Sequence, residues 1–260
     1  EGCDNCCTYC AIPSIRGRFR SRRIEDVVEE AKWLAEYGVT EIVVVAQDTT
    51  RYGEDLYGEP KLAQLLRELC KIEGLKWIRT LYAYPERITD ELIATIRDEE
   101  KLVKYLDIPV QHCNGQVLKR MNRHYTAEEY EKLAKKLRET FEDATITTDV
   151  LVGFPTETED DFNTTAEFVK RIGFEKVHVF PYSVREGTVA AKMEQHSNAV
   201  KEQRAATLSA ITDILRKEFM KSQIGKTVEV LFETHRDGYT EGYTKNYTPV
   251  RIYDDNDYRG

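Results

Sequence analysis

The 260-residue chain carries 38 Lys and Arg against 46 Asp and Glu, a net charge of -8, with 41% hydrophobic and 32% charged residues. That is ordinary globular composition with enough apolar content for a sizeable core. The acidic balance argues against a broad nucleic-acid surface, which is normally basic, although it leaves room for a local basic patch. No apolar run approaches the ~20 residues of a membrane span and nothing reads as a signal peptide, so free thiols point to a reducing cytoplasm.

The chain opens on a cysteine cluster. Four of the six cysteines fall within eight positions, at Cys3, Cys6, Cys7 and Cys10, while Cys70 and Cys113 stand alone. Closely spaced thiolates suit zinc or an iron–sulfur cluster. Structural zinc needs four ligands, usually two pairs from separate knuckles, and no second pair follows. A disulfide framework fits poorly with so few other cysteines. Three ligands in one loop suit a 4Fe-4S cluster with one iron open to substrate or cofactor. Two triplets fit the spacing: Cys3, Cys7 and Cys10, or Cys3, Cys6 and Cys10.

Arg16, Arg18, Arg20, Arg22 and Arg23 follow. Such a run is commonly a solvated face paired with the acidic residues after it, although one or two arginines could face the cysteine loop. Ile24 to Tyr37 has helical periodicity ended by Gly38. Glu41–Ala46 is a β-branched run, predicted as a strand buried on both faces, with Gln47 and Asp48 at its carboxyl end. A helix is predicted over Lys61–Ile72, a strand over Trp77–Tyr84, a helix over Thr89–Arg97 and a strand over Tyr105–Val110. A polar segment from Gln111 leads into a short helix through Leu118 and Met121.

Thr126 and Glu129 form a capping-box pattern before a helix to about Thr140. A strand over Thr145–Val152, a loop from Gly153 and Phe154, a helix over Asp160–Ile172 and a strand over Lys176–Phe180 come next. A long helix over Val200–Lys221 completes this part. Five alternations of strand and helix predict a parallel α/β sheet or barrel, with function at the carboxyl ends of the strands. No strand precedes the cysteine loop, so a strand feeding it is expected ahead of Glu1. From Gly225 the texture turns to alternating, tyrosine-rich sequence with five basic against seven acidic residues, a poor RNA surface. Those tyrosines read more readily as sheet packing than as base-stacking platforms.

Cys-x3-Cys-x2-Cys with Tyr9 before the third cysteine resembles the radical S-adenosylmethionine (SAM) superfamily. The surrounding Gly2-Cys-Asp-Asn and Tyr9-Cys-Ala-Ile-Pro-Ser-Ile-Arg-Gly resemble the methylthiotransferases within it. Val45-Ala-Gln-Asp-Thr-Thr-Arg-Tyr-Gly53, Lys104-Tyr-Leu-Asp-Ile-Pro-Val-Gln-His112 and Phe180-Pro-Tyr-Ser-Val-Arg-Glu-Gly-Thr188 resemble the RimO-type branch, which acts on an aspartate of small-subunit ribosomal protein twelve. The resemblance covers nearly the whole chain. It implies an open six-strand (β/α) partial TIM barrel over residues 1–222, with its first strand outside the chain, and the start of a TRAM-like antiparallel barrel over 223–260.

The resemblance also implies chemistry. Cys3, Cys7 and Cys10 would hold the 4Fe-4S cluster, SAM would chelate its open iron, and a 5′-deoxyadenosyl radical would take hydrogen from the aspartate β-carbon before a methylthio group is inserted. That carbon is not acidic, which accounts for the lack of a persuasive acid–base pair; His112 and His178 read as hydrogen-bonded core or loop residues. For SAM, Tyr9 would flank the adenine, and Gln47 and Asp48 stand where the superfamily often has Gly-Gly-Glu. Gln111, Gly153, Phe154 and Tyr182 would lie on the same rim, with Arg123 pairing a carboxylate. A second 4Fe-4S cluster that delivers sulfur would belong to an N-terminal domain outside this chain, so the chain alone is expected to cleave SAM without completing sulfur insertion. The implied partners are the ribosomal protein and an electron donor. The alternatives are a MiaB-type enzyme acting on tRNA adenosine and a noncatalytic module stabilised by a metal.

Overall fold

A computed structural model describes residues 1–259. Five parallel strands form the scaffold: β1 (Glu41–Val44), β2 (Trp77–Thr80), β3 (Tyr105–Asp107), β4 (Thr145–Val152) and β5 (Lys176–Pro181). β1 pairs with β2, and β3 with β4 and β4 with β5, all parallel. A bridge between Ile78 and Leu102 joins the two groups, so the strands follow chain order. Helices connect them: α2 (Ile24–Glu36) before β1, α3 (Glu54–Tyr57) and α4 (Leu62–Cys70) before β2, and α5 (Asp90–Asp98) before β3. After β3 come α6 (Gly115–Arg120) and α7 (Ala127–Thr140), then α8 (Glu159–Ile172) between β4 and β5. A one-turn helix α1 (Ile12–Arg16), opened by Pro13, was not foreseen from periodicity, which five residues cannot display. The architecture is an open α/β partial barrel.

Alternation divides each strand between two environments. Ile78, Leu106 and Ile146 face the helices and join the main core with Leu66, Leu69 and Val169. Trp77, Tyr105, Asp107 and Asp149 belong to the opposite, inner face. Helix ends follow local chemistry. Thr126 and Glu129 make the foreseen capping box on α7, and Thr158 with Asp161 makes a second on α8.

β1 departs from the reading of a strand buried on both faces. Val43 is 41% and Val45 60% exposed, because β1 is an edge strand whose outer side has no partner among the described residues. An apolar groove of about 520 Å³ runs along it, walled by Val27, Ala31, Leu34 and Leu65. β2 and β3 are shorter than foreseen: Leu81 N and Ile108 N still donate to Val44 O and Thr147 O, and the chain turns into the functional loops after them.

After the long helix α9 (Asn198–Ser222), an antiparallel sheet is formed by β6 (Val230–Arg236), β7 (Tyr239–Thr244) and β8 (Pro249–Ile252). β6 carries a register shift between Phe232 and Thr234. No helix among the described residues is long and apolar enough to cross a membrane.

Leu66 is completely buried between α4 and the sheet. Leu66→Ala should therefore lower unfolding free energy by about 3 kcal/mol, as a midpoint shift in urea denaturation at unchanged slope.

Candidate active site

The first ten residues contain no helix or strand, so the cysteine loop takes its shape from what it touches. Asp48, 3% exposed in the loop after β1, is its main anchor. Its carboxylate pairs with Arg87 and accepts from Asn5 Nδ2 at 3.1 Å. Arg87 Nη1 also donates to Asn5 Oδ1 at 3.1 Å. On the far side of the barrel, Asn122 Nδ2 donates to the carbonyls of Asn5 (3.2 Å) and Cys6 (3.1 Å). Thr8 N donates to Met121 O at 3.1 Å, and Ala190 N donates to Thr8 O at 2.9 Å.

Held this way, Cys3, Cys6, Cys7 and Cys10 all line one cavity of about 550 Å³, with Tyr9, Gln47, Gln111, Arg123 and Asp149 on its other sides. Cys7 is buried, Cys3 and Cys10 half-buried, and Cys6 exposed at the rim. Burial pushes the Cys3 and Cys10 thiols up, and the neighbouring Cys7 adds to this in both. Cys7 Sγ lies 3.7 Å from Tyr84 Oη. Cys6, Tyr82 and Gln111 have φ of 50°, 59° and 58°, and all three line this cavity. Non-glycine residues in the left-handed region carry strain that collects at functional sites.

Arg123 is 8% exposed. Its Nη2 donates to Tyr9 Oη at 2.9 Å, and its guanidinium lies 4.5 Å from the Tyr84 ring centroid. Nη1 has no partner, and no carboxylate stands within ion-pair distance of Arg123 among the described residues. A buried cation left without an anion is costly, by about 1–3 kcal/mol for an unmade hydrogen bond and more for a charged group. The position suits an anionic ligand group. Gln47 Oε1 is likewise buried and unpartnered.

Several candidates lie elsewhere than the sequence suggested. Asp48 does not line the cavity; its Oδ2 holds the loop through Asn5 and Arg87, and its Oδ1 accepts from Thr50 N at 3.1 Å. Phe154 and Tyr182 are buried behind Tyr9, their rings edge-on at 6.4 Å (Tyr9–Phe154) and 5.9 Å (Phe154–Tyr182). They fix the Tyr9 ring from behind without reaching the cavity. Gly153, at φ 70°, is needed for helix packing: a Cβ there would lie 2.7 Å from Lys201 Cγ on α9. Glu157 fixes this loop from within, accepting from Gly153 N and Arg204 Nη1, each at 2.6 Å, and bonding His112 Nε2 at 3.0 Å. His112 is thus a core residue, while His178, read from sequence as hydrogen-bonded core or loop, is instead exposed on β5 beside the inner cavity because its strand face is left open.

Asp149, Tyr82 and Tyr84 were missed. The alternation of β4 could have marked Asp149 as an acid on the inner face. Asn5 and Arg87 carry no sequence signal, because their role depends on a contact across the barrel.

The donor set can be tested against candidate metals. Among the described residues no three His, Cys, Asp or Glu are gathered tightly enough for one ion. Zinc takes four donors at about 2.0–2.3 Å. Thiols spread around a wide cavity fit instead a multi-iron cluster, whose separate irons each take one thiolate.

Residues 1–169 match the radical SAM superfamily, and the chain belongs to it. Membership implies a 4Fe-4S cluster and SAM. Within that class, the chain is 50% identical over 240 residues to the ribosomal protein uS12 methylthiotransferase RimO of Clostridium novyi, covering 92% of this chain and 54% of that protein. It is 48% identical to the RimO of Clostridioides difficile, covering 90% and 53%. The chain spans about half the length of the curated relatives it matches. Coproporphyrinogen III oxidase of Escherichia coli, a radical SAM enzyme, shares the fold at TM-score 0.55 and 19% identity, covering 79% of this chain and 50% of that one. The methyltransferase TsrM of Kitasatospora setae does so at 0.58 and 18%, covering 73% and 36%.

Burial pushes the Asp149 carboxyl from its ordinary 3.8 to about 7; nearby Asp107 adds to this and Arg123 opposes it. Between about pH 4 and 7 the folded protein retains this proton while the unfolded chain loses it, so this group makes stability fall as pH rises through that window. Asp149→Asn should flatten that slope, as read from denaturation midpoints across the window.

Proposed function

We propose that this chain is the catalytic core of a RimO-type methylthiotransferase, which modifies the β-carbon of an aspartate in ribosomal protein uS12. The observation that carries this is the convergence of Cys3, Cys7 and Cys10 on one cavity that also presents an unpartnered, buried guanidinium nitrogen from Arg123. Half identity to RimO proteins over nearly the whole chain supports the choice of substrate. We take residues 1–222 as the radical SAM core and 223–260 as the beginning of a TRAM-like unit.

In this reading the three thiolates hold a 4Fe-4S cluster and leave one iron for SAM. Cluster and SAM together supply a carbon radical able to take hydrogen from an unactivated C–H bond. The chain's own residues bind and orient. Arg123 meets the SAM carboxylate with Nη1, while Tyr9 holds Arg123 through its hydroxyl and presents its ring to the adenine. Phe154 and Tyr182 keep that ring in place. Gln47 and Gln111 reach the same cavity from the ends of β1 and β3 and offer polar contacts to SAM.

The buried apolar layer behind Tyr9 keeps water from the reacting carbon. Cys70 and Cys113 are buried apart from the loop, so we place the sulfur-donating second cluster outside this set of cysteines. The predominance of acidic over basic residues beyond Gly225 fits a protein substrate better than tRNA. We place the enzyme in the reducing cytoplasm, served by an electron donor there.

The ligand triplet is tested by substitution. Cys3→Ser, Cys7→Ser and Cys10→Ser should each abolish iron retention after anaerobic reconstitution, while Cys6→Ser retains it. Loss with Cys6→Ser and retention with Cys7→Ser would reassign the loop. Arg123→Met should keep the iron yet weaken SAM binding at least roughly tenfold, the scale of a lost charge-assisted hydrogen bond.

A further inference from the structure

At the amino-terminal ends of the strands, the inner face of the barrel is closed by the turn between β7 and β8. Tyr247 of that turn packs edge-on against Tyr105 of β3, with centroids 4.8 Å apart. Beside them stands Arg79 of β2, whose side chain is wholly buried. Its Nε donates to Glu41 at 2.8 Å and its Nη1 to the Lys245 carbonyl at 2.6 Å. The guanidinium carbon lies 3.7 Å from the Tyr247 ring centroid and 5.1 Å from that of Tyr105. From α9, Arg216 Nη2 donates to the Tyr247 carbonyl at 3.2 Å. A guanidinium this deep is tolerated only where its charge is met, here by Glu41 and the Tyr247 ring, although Nη2 has no partner among the described residues. The turn supplies the Lys245 carbonyl and the Tyr247 ring.

Next to this junction lies a second cavity of about 350 Å³. Tyr243 and Tyr247 form one wall, and Asp107 and His178 belong to the others. Tyr82 and Asp149 line both this cavity and the cysteine cavity, so the two meet inside the barrel. Two aspartates against the single Lys176 in its lining disfavour a phosphate backbone.

We propose that Arg79 is a positioning residue for a polypeptide substrate: by pinning the β7–β8 turn it fixes Tyr243 and Tyr247 as the wall along which a chain segment is held beside the cysteine cavity. This rests on the methylthiotransferase reading above. Arg79 itself touches neither cofactor nor substrate. Its effect falls on substrate capture and not on cluster or SAM.

Two variants of the full chain test this. Arg79→Lys keeps a positive charge for Glu41 but loses the fork and the flat stack on Tyr247. Tyr247→Leu removes the ring while leaving Arg79 and Glu41 in place, and it carries the test if Arg79→Lys fails to fold. Iron content and SAM binding should stay at the parent level, amide exchange in β7 and β8 should accelerate, and binding of uS12 should weaken roughly tenfold, as for a displaced aromatic contact. Unchanged exchange would overturn the pin, and accelerated exchange with unchanged uS12 affinity would overturn its role in substrate capture. If the parent chain itself does not bind uS12 while the exchange result holds, the methylthiotransferase reading falls, and the substrate role of Arg79 falls with it.

Discussion

The ion pair between Asp48 and Arg87 is the constraint on which the site depends. Three thiols must face one cavity, yet the loop that bears them has no backbone ladder to set their directions. Asp48 follows β1, Arg87 follows β2, and both engage the side chain of Asn5, so the loops after two neighbouring strands fix the segment between Cys3 and Cys7. Because Asp48 is nearly excluded from water, breaking one partner leaves an uncompensated buried charge, which typically costs about 3–5 kcal/mol. The rim therefore shapes the cysteine loop before any cofactor arrives, and preorganisation of this kind is what a cluster site requires.

The remainder of the barrel serves the same end by dividing its strands. Their outer faces are apolar and build the core with the helices, while their inner faces carry Asp107, Asp149 and His178 around a polar interior. A polar interior is costly to the fold, as the raised Asp149 carboxyl shows. Its use lies in the cavity it leaves open beneath the cysteines. The C-terminal sheet borders the adjoining cavity through Tyr243 and Tyr247.

Much of this was legible in the sequence because it rests on local chemistry. Capping at Thr126, the β-branched run of β1 and the alternation of β4 each act within a few residues. The cysteine spacing named the cofactor class for the same reason. What was not legible depends on contacts between distant segments. Asp48 looked like a cavity residue until Arg87, Asn5 and Thr50 were seen to engage its carboxylate. Gly153, Phe154 and Tyr182 looked like cofactor contacts, but Lys201 on α9 and the Tyr9 ring explain them as packing. β1 looked doubly buried because composition reports hydrophobicity and not which strand stands at an edge.

In the function proposed above, Cys3, Cys7 and Cys10 hold a cluster with one iron open to SAM. That assignment is tested most directly by anaerobic reconstitution with iron and sulfide, followed by electron paramagnetic resonance of the reduced protein with and without SAM. About four irons per chain are expected, as for a single 4Fe-4S cluster, with a signal that changes when SAM is added. A site that prefers zinc, or a reduced signal indifferent to SAM, would contradict it.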